Sequence, residues 1–258
     1  MLPGQTAVSS KQVAAHYESV DPHRKVAGSK KSFFTHALAK IDQPGNDRKS
    51  LLDVGCGYGY FLRLAADRDW EVYGVEIAQD AVGVARNTIG KENIHHGNLR
   101  SASLPPQHFD AVTLWDVLVL AQDPAEDLSE CFRILKPGGT VGLRVRNVTF
   151  QRWLHRLYVP LQPVLMRIGV KRPYVFHPRN FSAKALQALL NRIGYTDIRI
   201  TNSPLTKGDP YETVQWTGAV GKAKWLMEGL SKAVYRRSAG RWVIGPSLLV
   251  WAVKPGSR

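Results

Sequence analysis

The stretch Leu51-Leu52-Asp53-Val54-Gly55-Cys56-Gly57-Tyr58-Gly59 decides the fold of this chain. A short apolar run ends in three glycines at alternate positions, and a helix-like run, 61–66, follows at once. A strand that must turn sharply into a helix has this form. Glycine reaches positive φ without a Cβ penalty and lets a ligand lie against the main chain. The helix start beyond it offers unpaired N–H groups and the positive end of a dipole. The Gly-Lys-Ser/Thr ending of a P-loop is absent, and Tyr60 stands where a Gly-x-Gly-x-x-Gly fingerprint needs its last glycine.

Strands and helices alternate outward from this turn. Strands are predicted at 50–54, 71–76, 94–96, 109–115 and 140–146, with helices at 61–66, 79–87 and from Asp123-Pro124 onward. Lys136-Pro137-Gly138-Gly139 is read as the turn between the last of these helices and the fifth strand. Upstream, 9–19 and 29–41 read as helices. Near-continuous apolar strands separated by helices imply a parallel sheet covered on both faces. After Asn147 the pattern changes. Phe150, Trp153, Leu154, Leu157 and Tyr158 make an aromatic helical stripe, read as interrupted by Pro160 and Pro163. A helix at 182–193, strands at 197–201 and 247–253, and a basic helix at 219–237 complete the chain.

The 258 residues are 44% hydrophobic and 22% charged, an ordinary globular composition. Cys56 and Cys131 stand in no metal-ligand spacing, so neither a disulfide framework nor a metal site is expected, and a reducing compartment is. No signal-peptide core and no apolar run of spanning length occurs, which predicts a cytoplasmic protein. The formal charge of +14 is uneven: residues 51–150 hold 9 Lys and Arg against 13 Asp and Glu, residues 151–258 hold 18 against 4. The basic character belongs to the C-terminal segment.

Glu76 ends the second strand, where an acid in a doubly wound sheet can accept ribose hydroxyl hydrogens. Here the residues match a family. The glycine turn resembles motif I of class I S-adenosylmethionine-dependent methyltransferases, and Val72–Glu76 looks like the motif that follows it. The run from Phe109 to Leu118 resembles the fourth-strand motif, and Leu135-Lys136-Pro137-Gly138-Gly139 the turn before strand five. The flavour is that of the small-molecule and quinone-type branch. The resemblance implies an α/β, Rossmann-like, doubly wound seven-stranded sheet, mostly parallel with one antiparallel strand, plus a helical cap insert. It divides the chain into an N-terminal helical lid (1–48), a cofactor-binding core (49–147), the cap (148–180) and a C-terminal part of the same domain (181–258).

The same resemblance implies roles. Asp53, Gly55 and Gly57 would surround the methionine end of S-adenosyl-L-methionine, with Cys56 and Gly59 in the same turn. Glu76 would bind the ribose and Ile77 would pack on adenine. Asn98, followed by Leu99, would face the adenine amino group, its carbonyl able to accept a hydrogen bond. Trp115 and Asp116 would border the sulfonium and the amino-acid moiety. One departure stands out: where the quinone-type branch commonly reads Leu-Glu-His, this chain has Leu118-Val119-Leu120. The Asn/Asp-Pro-Pro-Tyr signature of nucleobase amino methylation is absent from 115–118.

Candidates for a general base are His16, Tyr17, His36, His155 and His177. Of these, His177, at the end of the cap, and Tyr17, in the lid, are taken as the catalytic pair. His95 and His96 read as surface residues. Arg144 and Arg146, two apart on one face of a strand, signal either ion pairing at the sheet edge or an anionic substrate. In the basic helix, Ala223, Leu226, Met227, Leu230 and Val234 form an apolar face flanked by Lys222, Lys224, Lys232, Arg236 and Arg237, with Trp225 alongside. A solvated face over a core stripe explains this pattern, and so does peripheral contact with anionic membrane. The expected function is methyl transfer, O-methylation foremost, to a small-molecule or lipid-like acceptor. The rivals are an RNA methyltransferase gripping phosphates with the basic half and a cofactor-binding protein without turnover.

Overall fold

The computed structural model describes residues 22–42, 49–167, 179–204, 206 and 218–256. Seven strands form one sheet: β1 Lys49–Val54, β2 Trp70–Glu76, β3 Ile94–His96, β4 Phe109–Trp115, β5 Leu135–Arg146, β6 Thr196–Asn202 and β7 Ser247–Val253. Their order is β3-β2-β1-β4-β5-β7-β6. All pairings are parallel except those of β7, which runs antiparallel to both β5 and β6. The described helices are α1 Pro22–Ile41, α2 Tyr60–Ala66, α3 Gln79–Ile89, α4 Pro124–Ile134, α5 Val148–Arg167, α6 Ala183–Ile193 and α7 Gly218–Arg237.

Alternation along each strand sorts the core into two layers. Leu52, Val112, Leu114, Val141, Leu143 and Val250 pack with α4 and α6 on one face. Leu51, Ala111, Trp115 and Leu249 pack on the other, under Phe33, Phe34, Ala37 and Leu38 of α1 and the apolar sides of α2 and α3. The sheet reverses between β1 and β4, so the C-terminal ends of these two strands frame the crevice where doubly wound sheets bind ligands. At the opposite edge, Asp110 accepts hydrogen bonds from the Ser50 backbone and the Lys136 ammonium (2.8 and 2.7 Å), which ties the start of β1 to the turn before β5.

Three expectations change. The fifth strand starts at Leu135 rather than 140, because Leu135 pairs with Phe109 before the register shifts to Ala111 and Thr140 and carries residues 136–139 as a bulge. The aromatic stripe is one helix, α5, running through Pro160 and Pro163. Arg156 and Val159, whose carbonyls lose their helical partners to these prolines, are exposed, so solvent can take those bonds. In α7, Leu226 and Leu230 are exposed while Ser231 is buried, so the leucines of the predicted stripe do not cover a core. Among the described residues, no helix is long and apolar enough to cross a membrane.

A glycine turn, a pinned carboxylate and a cation cluster

The glycine turn is clamped to the end of β2. The N–H groups of Gly55 and Cys56 donate to the Val75 carbonyl (2.7 and 3.2 Å), and the Gly57 N–H donates to Glu76 Oε2 (2.8 Å). The other oxygen, Glu76 Oε1, accepts from the N–H groups of Ile77 and Ala78 at 2.8 and 2.9 Å. Three backbone donors hold this buried carboxylate, and its four lone-pair sites leave room for another donor.

Gly55 and Gly57 are required for different reasons. Both have positive φ, 69° and 54°. A Cβ on Gly55 would stand 2.4 Å from Val117 Cγ2, so this glycine lets the turn press against the residues after β4. A Cβ on Gly57 would meet nothing within 4 Å, so here the turn faces open space. Gly59 caps the N-terminus of α2 in the left-handed region. The Cys56 side chain points the other way, into the core beneath Gly74, where burial pushes its thiol well up; only its backbone faces the turn.

Beside Glu76, Ile77 is 39% exposed, an uncovered apolar side chain at the mouth of the crevice. Asn98 is exposed, but its Oδ1 already accepts the Ser101 N–H (2.9 Å). Leu99 is buried in the α4-side core. These residues fit a nucleoside-bearing cofactor. The open cradle at Gly57, a fixed acceptor and an apolar shelf meet at one point of the sheet edge.

On the α1 side the strand ends carry polar groups. Asp53 is buried and accepts the Thr113 hydroxyl (2.7 Å). Burial pushes its carboxyl from 3.8 up to about 8, against the Thr113 hydrogen bond, with the neighbouring Glu76 adding to the rise and Lys30 opposing it. The native state therefore keeps a proton that the unfolded chain releases near pH 4, and the stability this contributes is lost as pH rises through about 8. The melting temperature of the ligand-free protein should fall between about pH 5 and about pH 8, and Asp53→Asn should flatten that fall. An identical slope in the variant would mean that Asp53 is not its source.

Asp116 follows β4 with φ 63°, a left-handed conformation uncommon outside glycine. Its Oδ2 meets both Lys30 Nζ (3.3 Å) and Arg144 Nη1 (3.1 Å). Burial alone would raise this carboxyl, but Arg144, Lys30 and then Arg146 hold it below the usual carboxylate range. Trp115 lies under α1, edge-on to Phe33, Phe61 and Trp251 at 5.1, 5.3 and 5.9 Å, so its ring is core and its backbone lines the edge.

The structure thus brings together Asp53, the glycine turn, Glu76, Ile77, Asn98, Trp115 and Asp116. Tyr17 and His177, with His16, lie outside the described residues. His36 is exposed on α1, and His155 is half-buried on α5. Val119 is buried in the α4-side core and Leu120 packs against it, so no side chain there is available for proton transfer. The sequence reading missed Lys30. Its signal was legible, since it lies three and four residues before Phe33 and Phe34 and so on the helix face they bury.

A family model described as a methyltransferase domain matches residues 14–200. The chain is similar to a probable S-adenosylmethionine-dependent methyltransferase of Mycolicibacterium smegmatis, 32% identical over 148 residues, covering 57% of this chain and 52% of that one. It is also 33% identical over 111 residues to the ubiquinone biosynthesis O-methyltransferase of Azoarcus, covering 41% and 48%. The chain spans about half the length of the curated relatives it matches. Among solved structures it shares its fold with phosphoethanolamine N-methyltransferase 2 of Haemonchus contortus in complex with S-adenosyl-L-methionine: TM-score 0.57, 18% identity, 97% of this chain and 58% of that one. A SAM-dependent methyltransferase from Archaeoglobus fulgidus gives a TM-score of 0.51 at 20% identity, covering 95% of each chain.

Proposed function

Because this chain belongs to the class I S-adenosylmethionine-dependent methyltransferases, we propose that it transfers a methyl group to oxygen of a small-molecule or lipid-like acceptor. The observation that carries the reading is Glu76, pinned by three backbone N–H groups beside the open cradle at Gly57. Glu76 would accept the ribose hydroxyls, Ile77 would cover the base, and Asp53, Gly55 and Gly57 would line the amino-acid end. The cofactor, when bound, supplies an activated sulfonium methyl group. The protein's own work is then alignment and exclusion of water. The apolar Val119 and Leu120 leave any proton removal to other residues, with Tyr17 and His177 the proposed pair.

The similarity to ubiquinone biosynthesis O-methyltransferases supports oxygen as the target atom. The surface of α5 supports a lipid-like acceptor. Trp153, Leu157, Leu161 and Val164 recur along one stripe and are 54%, 49%, 55% and 61% exposed, with exposed Arg152 and Arg156 along its flank. An interfacial helix on an anionic bilayer has this arrangement.

The test is incubation with radiolabelled S-adenosyl-L-methionine, a cell extract and vesicles of phosphatidylglycerol or phosphatidylcholine. Label should enter a solvent-extractable product one CH₂ heavier than its precursor, and the protein should sediment with the anionic vesicles alone. Label recovered in RNA, with RNA binding that weakens steeply with salt, would establish the rival reading.

A further inference from the structure

The loop 238–246 joins α7 to β7. Because β7 runs antiparallel to β5, it begins at the edge where the parallel strands end, the edge that holds the glycine turn and the crevice. The backbone of this loop is fixed from several sides. Gly240, with φ 80°, donates its N–H to the Tyr235 carbonyl (2.8 Å), and the Trp242 N–H donates to Ser238 Oγ (3.0 Å). The amide of buried Asn147 donates to the carbonyls of Val243 and Gly245, both at 3.0 Å. The Gly245 N–H donates in turn to Asn202 Oδ1 at 2.7 Å.

Held in this way, the run Trp242-Val243-Ile244 sends only its middle side chain inward. Val243 packs against the α4-side core, whereas Trp242 is 66% exposed and Ile244 39%. The helix before the loop repeats the arrangement. In α7, Ser231 is buried, and Leu226, Leu230 and Arg237 fall on the opposite side, all exposed. Large apolar side chains held out of the core and interleaved with charge mark an interaction surface.

The sign of the surrounding charge selects the partner. From 229 to 256 the chain carries Lys232, Arg236, Arg237, Arg241 and Lys254 and no Asp or Glu. Arg236, Arg237 and Arg241, close in sequence to Trp242, are exposed. The segments outside the described residues hold six Lys and Arg against five Asp and Glu, so they bring no net negative charge to offset this. Anionic lipid suits the combination: Arg meets the headgroups, Trp settles at the interface, and Leu and Ile enter the acyl boundary. A nucleic acid would use the cations and stack on Trp242, but it would leave the aliphatic side chains in water.

We propose that loop 238–246 and the outer side of α7 form a docking surface for an anionic bilayer, with Trp242 as its anchor. This surface is separate from the stripe of α5, but the two are joined. Asn147, which holds the loop, also secures the start of α5, its Oδ1 accepting the Thr149 N–H (3.1 Å). The bilayer thus meets the protein at the sheet edge that carries the crevice, where the methyl-transfer reading places a lipid-like acceptor. The docking itself does not depend on that reading.

Sedimentation of the full chain with vesicles of phosphatidylglycerol or of phosphatidylcholine tests this. The wild type should partition onto phosphatidylglycerol alone. Trp242→Ala should lower the partition coefficient about tenfold, and Arg237→Gln with Arg241→Gln together should lower it at least as much. Arg192→Gln, an exposed charge on α6, should change it little. Because Trp242 is so exposed, its replacement should leave the melting temperature unchanged, so that lost binding is not lost folding. Full binding by Trp242→Ala overturns the proposal and leaves α5 as the bilayer contact. Equal binding to both lipids, a dimer in solution that Trp242→Ala dissolves, or salt-sensitive binding to RNA in place of vesicles overturns it as well. Calorimetry should show unchanged S-adenosylhomocysteine binding in every variant, which keeps a failure of this surface distinct from a failure of the methyltransferase reading.

Discussion

Replacing Glu76 by Ala should weaken binding of S-adenosylhomocysteine by a factor of about 100 or more. Two ribose hydroxyls would lose a charged acceptor, and hydrogen bonds to charged groups contribute about 1.5–3 kcal/mol each. The substitution also frees the N–H groups of Gly57, Ile77 and Ala78, so the turn that forms the cradle loses its hold on β2. Glu76→Gln separates the two effects. The amide oxygen can still accept from Ile77 and Ala78, but the amide NH₂ would then confront the Gly57 N–H, donor against donor. Glutamine should therefore retain most of the stability and little of the affinity. Circular dichroism confirms folding, and calorimetry reads the affinity. Undiminished affinity in the Ala variant would falsify the placement of the cofactor at this turn.

Asp116→Ala should cost about 3 kcal/mol or more of stability, because it leaves Lys30 and Arg144 buried without their shared carboxylate. In a chain of this size that lowers the melting temperature by on the order of 10 °C. Part of the loss belongs to the backbone, since Ala tolerates the left-handed φ of 63° less well than Asp or Asn. Asp116→Asn keeps that tolerance and one acceptor oxygen while removing the charge, so the difference between the two variants isolates the electrostatic part. Removing Lys30 as well should recover some of the loss, a coupling that a double-mutant cycle measures directly. A loss below about 1 kcal/mol in the Ala variant would show that the two cations do not depend on Asp116.

Most of the Rossmann-like core was legible because its signals are local. Apolar runs, a glycine turn and a helix cap each act within a few residues. Asp123 caps α4 through hydrogen bonds from the N–H groups of Ala125 and Glu126, one residue before Pro124, as the Asp-Pro pair suggested. Where the reading slipped, the cause was an interaction from outside the local window. The start of β5 depends on pairing with Phe109 on another strand. The continuity of α5 depends on which side of the helix is wet, since two prolines are tolerable when the carbonyls they orphan face solvent.

The candidate site divides along the same line. Asp53, the glycine turn and Glu76 stand in one short stretch, and β1 and β2 are neighbours in the sheet, so their approach follows from sequence order alone. Arg144 and Arg146 could be placed on one face, but whether they served ion pairing or a ligand was open. The tertiary structure brought Lys30 from α1 and Arg144 from β5 onto Asp116 at the end of β4, across sequence gaps of 86 and 28 residues. It also turned the side chains of Cys56 and Trp115 into the core and left their backbones at the crevice.

The sequence by itself determined that a glycine turn after the first strand and an acid at the end of the second would meet at one edge of a parallel sheet. Backbone conformational preference and hydrophobic alternation act at short range, and these decide it. Only the tertiary structure decided that two buried cations, Lys30 and Arg144, would meet one aspartate, Asp116, beside that turn. Burial and electrostatic pairing depend on distances in space, which residue order does not set.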